Sequence, residues 1–288
     1  MKWLFILALA AIITTGYSQK DQSGTFKLDE DYKMSPTGTI KLSSSDAKVK
    51  IIGSNRATAH VKVDREVTTR GVTFGSEEFT VEVEERSGNL EIRERSASTH
   101  VGIIGYHYER YNIDIEAPIG VSLIIQGDDG DFIIRNINGE ISMDVDDGDI
   151  ELYSCKGNAF SFRLDDGDLA MDEGAGKLDI DADDADIRIA RGKFSRILAD
   201  LDDGDLIIET SLDDRGEYSI RTQDGLVDLV VLGGGGIFDI RHDDGRVTTE
   251  GEFDMIEKSE DYSKIRLAKG SARIDIRADD GRVRLASK

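Results

Sequence analysis

The sequence is organised by a repeated acidic turn, Asp-Asp-Gly-Asp, that interrupts short runs of alternating apolar residues. One copy runs from Ile141 to Leu152, with apolar residues at 141, 143 and 145 before the turn and at 150 and 152 after it. Alternation with a period of two is typical of a strand with one buried face, and a glycine-bearing acidic stretch is typical of a turn. Each unit therefore predicts a strand, a turn and a second strand.

The turn recurs at a nearly constant interval. Turn centres at 130, 148, 167, 185 and 204 are 18, 19, 18 and 19 residues apart, and further copies are centred at 225, 245 and 281. A fixed period of this size is the signature of a repeat architecture. We expect a parallel β-solenoid with coils of about 18–20 residues, in which equivalent strands of successive coils stack on one another.

An array of antiparallel β-hairpins is the alternative, because Asp-Gly between alternating apolar runs is also a strong hairpin signal. The solenoid is favoured because stacked coils must superimpose, which explains the constant unit length. No 3.6-residue pattern appears, so the expected class is all-β. Residues 38–118 are less regular and are expected to form a sheet that caps the solenoid of residues 119–288, within one continuous domain.

The N-terminus has the pattern of a signal peptide. Lys2 precedes an apolar run from Trp3 to Ile13, and small residues stand at the positions required for cleavage before Gln19. We assign residues 1–18 to a signal peptide and residues 19–37 to a flexible leader. The apolar run is too short for a comfortable transmembrane helix, and no later stretch could span a bilayer. The protein is therefore expected to be exported, to the periplasm, the cell surface or the extracellular space.

Charge narrows the classes of partner. The formal net charge is −22, which argues against nucleic acid because its phosphates would be repelled. Residues 127–210 carry 24 acidic and 8 basic side chains, whereas residues 264–288 carry 8 basic and 3 acidic ones. We expect the basic C-terminal end to protect an open sheet edge. The competing interpretation is that this end binds an acidic partner, including another copy in head-to-tail association. The basic residues concerned are Arg273, Arg277, Arg282, Arg284 and Lys288.

The centre of each acidic stretch is expected to form the turn itself. Aspartate can bond nearby backbone groups, and glycine adopts positive φ without steric cost. The residues assigned to the turns are Asp129, Gly130, Asp147, Gly148, Asp166, Gly167, Asp184, Asp203, Gly204, Asp244, Gly245, Asp280 and Gly281.

The outer aspartates form two further columns. One stands immediately before the Asp-Gly pair of each turn, and the other stands immediately after the glycine. In a solenoid their carboxylates would stack about 5 Å apart and repel one another. Bound Ca²⁺ would offset this repulsion, because hard cations prefer carboxylate oxygens. The competing interpretation is a solvated acidic face that is screened by salt, with no cofactor required. The candidate calcium ligands are Asp128, Asp131, Asp146, Asp149, Asp165, Asp168, Asp183, Asp186, Asp202 and Asp205.

An aromatic segment in the irregular part offers candidate ligand contacts. These are Tyr106, His107, Tyr108 and Tyr111, which could contact a sugar ring. No catalytic residue is identified, because the aspartates repeat in every coil, whereas an active site should break the repeat at one place.

The series of strand, (Ser/Asp)-Asp-Gly-Asp and strand units behind a signal peptide resembles a bacterial family of putative adhesins. These are exported β-strand-repeat proteins with a domain of unknown function, and the resemblance covers roughly residues 38–287. It implies a β-helical or solenoid domain in the cell envelope and brings no catalytic residues.

We therefore expect a non-enzymatic, exported cell-envelope protein, either an adhesin or an assembly scaffold that presents an acidic repeat surface. The first alternative is a Ca²⁺-stabilised carbohydrate- or surface-binding module, and the second is a glycan-active β-helix enzyme. The expected partner is an envelope protein or a surface glycan.

Overall fold

Every regular element that the structure describes is a β-strand. The structure is a computed structural model and describes residues 24–268 and 270–288, with all their side chains except those at 69–77 and 98–107. Within these ranges, 22 strands alternate with turns, which confirms the all-β class. The predicted signal peptide, residues 1–18, lies outside the described residues. In the described part of the chain, no helix is long and apolar enough to cross a membrane.

The first five strands form the N-terminal end of the fold. They are β1 (Thr25–Lys33), β2 (Thr39–Ser44), β3 (Lys48–Ser54), β4 (Thr58–Arg86) and β5 (Asn89–Pro118). β4 and β5 make a long antiparallel hairpin, and β1 pairs antiparallel with β4. Ser87 and Gly88 at the hairpin tip have φ of 54° and 82°, as a two-residue type I′ turn requires.

Strand β1 corrects the prediction of a flexible leader over residues 19–37. Phe26, Leu28 and Tyr32 are buried in the core, and the Phe26 ring packs edge-on against Phe79 with centroids 5.4 Å apart. The predicted leader therefore extends too far towards the C-terminus, because alternating apolar residues already begin at Phe26. Of the predicted leader, residues 19–23 lie outside the described ranges.

The middle of the chain contains the regular repeats. Its strands are β6 (Ser122–Gly127), β7 (Phe132–Arg135), β8 (Ile141–Asp147), β9 (Ile150–Tyr153), β10 (Ala159–Asp166), β11 (Leu169–Met171), β12 (Gly174–Asp184), β13 (Ile187–Asp203), β14 (Leu206–Ser211), β15 (Glu217–Thr222) and β16 (Leu226–Gly233). Strands before the acidic turn pair in parallel with one another, so that Ile141 lies opposite Phe160 and Phe160 opposite Leu178.

Strands after the acidic turn form a separate parallel series. Leu169 lies between Ile150 and Ile187 in this series. We call the strands before the turns the first stack and those after them the second stack; β13 contributes its end to the first and its beginning to the second. β2 and β3 pair with β6 and β7 and extend the two stacks towards the N-terminal end.

The core lies between the two stacks. One continuous hydrophobic cluster contains residues of both, and Met143, Phe162 and Ile180, at one position in three consecutive coils, are only 1–3% exposed. Burial of each such side chain stabilises the fold by roughly 1.5–3 kcal/mol. The result is a solenoid-like sheet whose buried positions are the alternating apolar residues of the repeat.

The C-terminal strands do not follow sequence order in space. They are β17 (Gly236–His242), β18 (Arg246–Glu250), β19 (Phe253–Lys258), β20 (Tyr262–Leu267), β21 (Ala272–Ala278) and β22 (Arg282–Ser287). β21 pairs in parallel with β15 on one side and with β17 on the other, and β22 likewise lies between β16 and β18. The last coil of the sequence is therefore inserted between two earlier coils.

This insertion corrects the prediction that the basic C-terminal residues lie at an open sheet edge. Arg284 forms ion pairs with Asp228 at 2.7 Å and with Glu250 at 2.6 Å, and Lys288 pairs with Glu209 at 3.1 Å. Arg284 therefore bridges the strands on both sides of β22, and Lys288 reaches past β16 to β14. The strands at this end that pair on one side only are β18 and β19.

Candidate functional site

The acidic turns of successive coils lie directly over one another along one edge of the fold. The Asp147 backbone N–H donates to the Asp128 carbonyl at 2.8 Å, and the Asp129 N–H donates to the Ser45 carbonyl at 3.1 Å. These bonds join each turn to the turn of the preceding coil. We call this edge the acidic seam; it contains the assigned turn residues and the outer aspartates of the central coils.

Glycine is required in the seam for two different reasons. Gly167 and Gly204 have φ of 108°, in the left-handed region that favours glycine. At Gly148 the reason is space, because a Cβ atom there would lie 2.1 Å from the Gly130 carbonyl oxygen. A Cβ at Gly245 would lie equally close, 2.2 Å, to the Gly281 carbonyl oxygen.

The aspartates before the turn glycines stand side by side. Asp166 lies in register between Asp147 and Asp184, and Asp184 lies next to Asp203. The pKa of Asp147 is raised by burial and then by the neighbouring Asp166 and Asp129 carboxylates. Carboxylates of neighbouring coils therefore oppose the ionisation of Asp147.

The column after the glycine has a structural role that the sequence did not reveal. The Asp149 Oδ1 accepts a hydrogen bond from the Asp168 backbone N–H at 3.1 Å, and the Asp186 Oδ1 accepts one from the Asp205 N–H at 2.9 Å. The Asp131 carboxylate binds the Lys48 Nζ at 2.9 Å. Because each partner is a full coil or more away in sequence, spacing within one unit could not show these bonds.

In the column before the Asp-Gly pair, the carboxylates of neighbouring coils repel one another. Burial raises the pKa of Asp146, with Asp165 and Asp128 adding to the shift, and the pKa of Asp183 is raised in the same way. Asp202 accepts a hydrogen bond from the Gln223 side-chain amide at 2.6 Å.

Specific Ca²⁺ binding by the outer columns stays a prediction. Among the residues that the structure describes, no group of three or more His, Cys, Asp or Glu side chains is arranged to hold a metal ion. The hydrogen bonds accepted by Asp149, Asp186 and Asp202 already use part of the carboxylate oxygens that a cation would need.

The aromatic segment is divided by burial. The Tyr108 side chain is 51% exposed, whereas Tyr111 is only 4% exposed. The Tyr111 ring packs edge-on against Phe79 with centroids 5.2 Å apart, and burial raises its pKa. Tyr111 is thus a core residue, which corrects its assignment as a ligand contact. The side chains of Tyr106 and His107 lie outside those that the structure describes.

A surface that sequence reasoning missed lies on the outer side of the first stack. A shallow groove of about 610 Å³ runs across strands β8, β10, β12, β13 and β15. Outward-facing positions of successive coils line it, and similar depressions continue the surface at both ends. The lining side chains that face outward are Ser142, Asp144, Ser161, Arg163, Asp179, Asp181, Leu198, Asp200, Ser219 and Arg221.

Charges in the groove are largely neutralised by one another. Arg163 binds Asp181 at 2.9 Å, Arg221 lies 3.7 Å from Asp200, and Arg196 lies 3.9 Å from Asp179. The sequence offered one signal of this surface, namely two apolar residues on the outer face. These are Leu198, which is 37% exposed, and Ile124, which is 43% exposed. They occupy positions where the alternation demands a polar residue.

The comparison with solved structures gives matches at low sequence identity. A putative adhesin from Bacteroides fragilis matches with a TM-score of 0.51 and 11% identity, over 90% of this chain and 96% of that one. A putative cell adhesion protein from Clostridium sporogenes matches with a TM-score of 0.28 and 13% identity, over 91% of this chain and 100% of that one. A putative lipid binding protein from Parabacteroides distasonis has a TM-score of 0.34 and 14% identity, over 91% and 96%.

The likeness to the Bacteroides fragilis structure concerns the fold alone, and the comparison with curated proteins gives no match. The sequence evidence is more specific. The family model described as Toastrack DUF4097 matches residues 37–286, which is nearly all of the folded part, and the chain therefore belongs to the Toastrack DUF4097 family.

Proposed function

We propose that this protein is an exported, non-enzymatic surface-binding module that holds a neutral glycan in the groove of the first stack. The observation that carries the proposal is the chemistry of the groove. Serine hydroxyls both donate and accept hydrogen bonds, arginines donate them and carboxylates accept them. Sugar hydroxyls also do both, so a polyhydroxylated chain can satisfy this lining along its length.

The charge balance of the groove supports a neutral ligand. Two arginine–aspartate pairs lie within it, Arg196 lies 3.9 Å from Asp179 at its edge, and Asp144 is left as the extra negative charge among the lining residues. An anionic polymer would gain little from arginines that are already paired and would be repelled by Asp144. The exposed Leu198 side chain offers an apolar surface for the non-polar face of a sugar ring.

The acidic seam and the groove have different roles in this proposal. Its glycines and its column of aspartates after the turn are occupied in joining coils, through the close contacts and hydrogen bonds described above. We assign the seam to stability and the groove to binding. On this view the coils form one continuous parallel solenoid, whose regular spacing repeats the groove lining from coil to coil.

An adhesive role is consistent with the structural likeness. The Bacteroides fragilis structure that shares the fold is named a putative adhesin, and the signal-peptide pattern of residues 1–18 supports export. Within the central coils the aspartates repeat without the single departure that an active site would introduce, which favours binding over catalysis.

A glycan microarray tests the proposal. Mature protein should bind neutral polysaccharides or oligosaccharides, and the signal should persist when salt is raised, because paired charges contribute little at the contact. Binding restricted to anionic glycans, or no binding to any carbohydrate, would exclude the proposed function. Release of reducing ends from a bound glycan would instead favour the enzyme alternative.

A further inference from the structure

The C-terminal end of the fold has a step between its two stacks. In the first stack, β17 is followed by β20 and then β19, both added in antiparallel fashion. In the second stack, β18 pairs with β22 and has no strand on its other side within the described residues. The first stack is therefore two strands longer than the second at this end.

Exposure shows that the core is uncovered at the step. Thr249 lies beside Leu285, which is fully buried, yet Thr249 itself is exposed. On β19, Met255 is 48% and Ile256 45% exposed. Thr249 and Met255, which lies opposite the buried Ile265, would be covered if the second stack continued beyond β18.

Charge at the β18 edge indicates what could cover it. Arg246 lies in register beside Arg282, and neither forms an ion pair with any residue in the described ranges. Like charges directly opposite one another in a sheet are destabilising. In the same strands, Arg284 is fully neutralised by Asp228 and Glu250. The two arginines in register therefore favour a carboxylate opposite Arg246 on the next strand, whereas the exposed Glu250 and Glu252 at the other end of β18 do not favour further acidic residues.

We propose that β18 is the docking edge for an extended strand of a partner protein that carries a carboxylate opposite Arg246 and adds to the second stack by β-augmentation. Unpaired N–H and C=O groups of an edge strand supply the backbone bonds for such an addition, and pockets for alternate side chains supply specificity. Alternate apolar residues of the incoming strand would cover Thr249 and Met255, and its carboxylate would lie beside Arg246.

A second copy of this chain fits the step poorly. Two β18 edges can pair in antiparallel fashion only around a twofold axis perpendicular to the sheet. That axis brings the β19 and β20 strands of both copies to the same side of the interface. Once the two second stacks are joined edge to edge, the interface has no room for these four strands.

The test uses a synthetic, fluorescein-labelled peptide of alternating valine and glutamate or threonine with the full mature chain. Fluorescence anisotropy measures affinity, and hydrogen exchange locates the contact. We expect slower exchange at the amides of residues 246–250 and at least about tenfold weaker binding by an Arg246→Glu/Arg282→Glu variant, the equivalent of about 1.4 kcal/mol. A matched control is Arg188→Glu, an exposed arginine on the outer face of the second stack.

Three results would overturn the proposal. The first is equal binding of a peptide with central proline, which cannot pair as a strand. The second is equal binding by the double variant and wild type, or protection that appears elsewhere than residues 246–250. The third is that sedimentation shows a dimer without peptide and that the amides of residues 246–250 exchange slowly in this dimer. A second copy of the chain would then be the occupant.

Discussion

Gly148 lies against Gly130 so closely that the Gly130 carbonyl oxygen occupies the space a side chain at 148 would need, with 2.1 Å to the position of a Cβ atom. The same relationship links Gly225 to Gly204, at 2.0 Å. The glycine of the acidic turn is therefore fixed by the neighbouring coil as much as by its own turn.

Substitution of Gly148 should be costly even though the residue lies at the surface. Gly148→Ala places a methyl group against backbone that cannot move without separating two coils, and we expect a loss of about 3 kcal/mol in the free energy of unfolding. The control is Gly233→Ala, because a Cβ there would meet its nearest atom at an ordinary 3.6 Å. Urea denaturation should show a change of about 0.5 kcal/mol or less for the control. Equal effects of the two substitutions would contradict the stacking account.

Asp186 should act through its hydrogen bond and not through its charge. Asp186→Ala removes the acceptor of the Asp205 N–H and should cost about 0.5–1 kcal/mol. Asp186→Asn keeps a carbonyl oxygen and removes one negative charge from the seam, so its stability should equal or exceed that of the wild type. Chemical denaturation of both variants decides the point, and an asparagine variant as unstable as the alanine variant would refute it.

Stability should rise when the pH falls from neutral. Burial and neighbouring carboxylates raise the pKa of Asp147 and Asp183 above the ordinary 3.8. The unfolded chain does not share this repulsion, so protonation at the higher folded-state pKa relieves a cost of folding, and stability increases as the pH falls through that pKa towards 3.8. The pKa of Glu91 is shifted in the opposite direction, because a hydrogen bond from Arg93 lowers it below 4.5.

The Glu91 contribution is present above pH 4.5 and is lost as the pH falls through its lowered folded-state pKa. The two effects together predict a maximum of Tm on the acid side of neutrality. Calorimetry at constant ionic strength measures this maximum, and an Asp147→Asn/Asp183→Asn variant should show a smaller rise. A Tm that decreases steadily from about pH 7 to about pH 5 would be inconsistent with repulsion in the seam.

Divalent cations separate screening from a specific site in the outer aspartate columns. If those carboxylates are a screened acidic face, Ca²⁺ and Mg²⁺ at equal concentration should raise Tm to the same small extent, and sodium chloride of matched ionic strength should do most of this as well. A Tm shift specific to Ca²⁺, reversed by chelator and abolished by Asp146→Asn/Asp165→Asn, would establish the calcium site that the sequence pattern suggested.

The alternating pattern was sufficient to predict which residues are buried and where the turns occur. Leu164 and Leu169 flank a turn in the sequence and are both buried at 1% exposure. The pattern could not predict which strands are neighbours, because a period of two fixes the face of a residue and not the identity of the next coil. The insertion of β21 between β15 and β17 depends on an antiparallel detour through β19 and β20 that no repeat spacing encodes.

The candidate site was less predictable than the fold. Acidic residues drew attention to the seam, whereas the groove is built from ordinary outward residues such as Ser161 and Arg163. Their significance comes from stacking of coils, since residues 18–21 positions apart become adjacent across the sheet. Of the residues that line the groove, the exposed Leu198 departed from the pattern in the sequence.

The central claim is that the groove, and not the acidic seam or the opposite face, binds the glycan. Isothermal titration with the strongest microarray ligand tests it most directly with Ser161→Gln and Ala170→Gln, two substitutions of exposed residues in the same coil. Ser161 lines the groove, whereas Ala170 lies in β11 of the second stack. The account predicts at least about tenfold weaker binding for Ser161→Gln and unchanged affinity for Ala170→Gln, with equal Tm values. Equal affinity of Ser161→Gln and wild type, or a loss confined to Ala170→Gln, would contradict it.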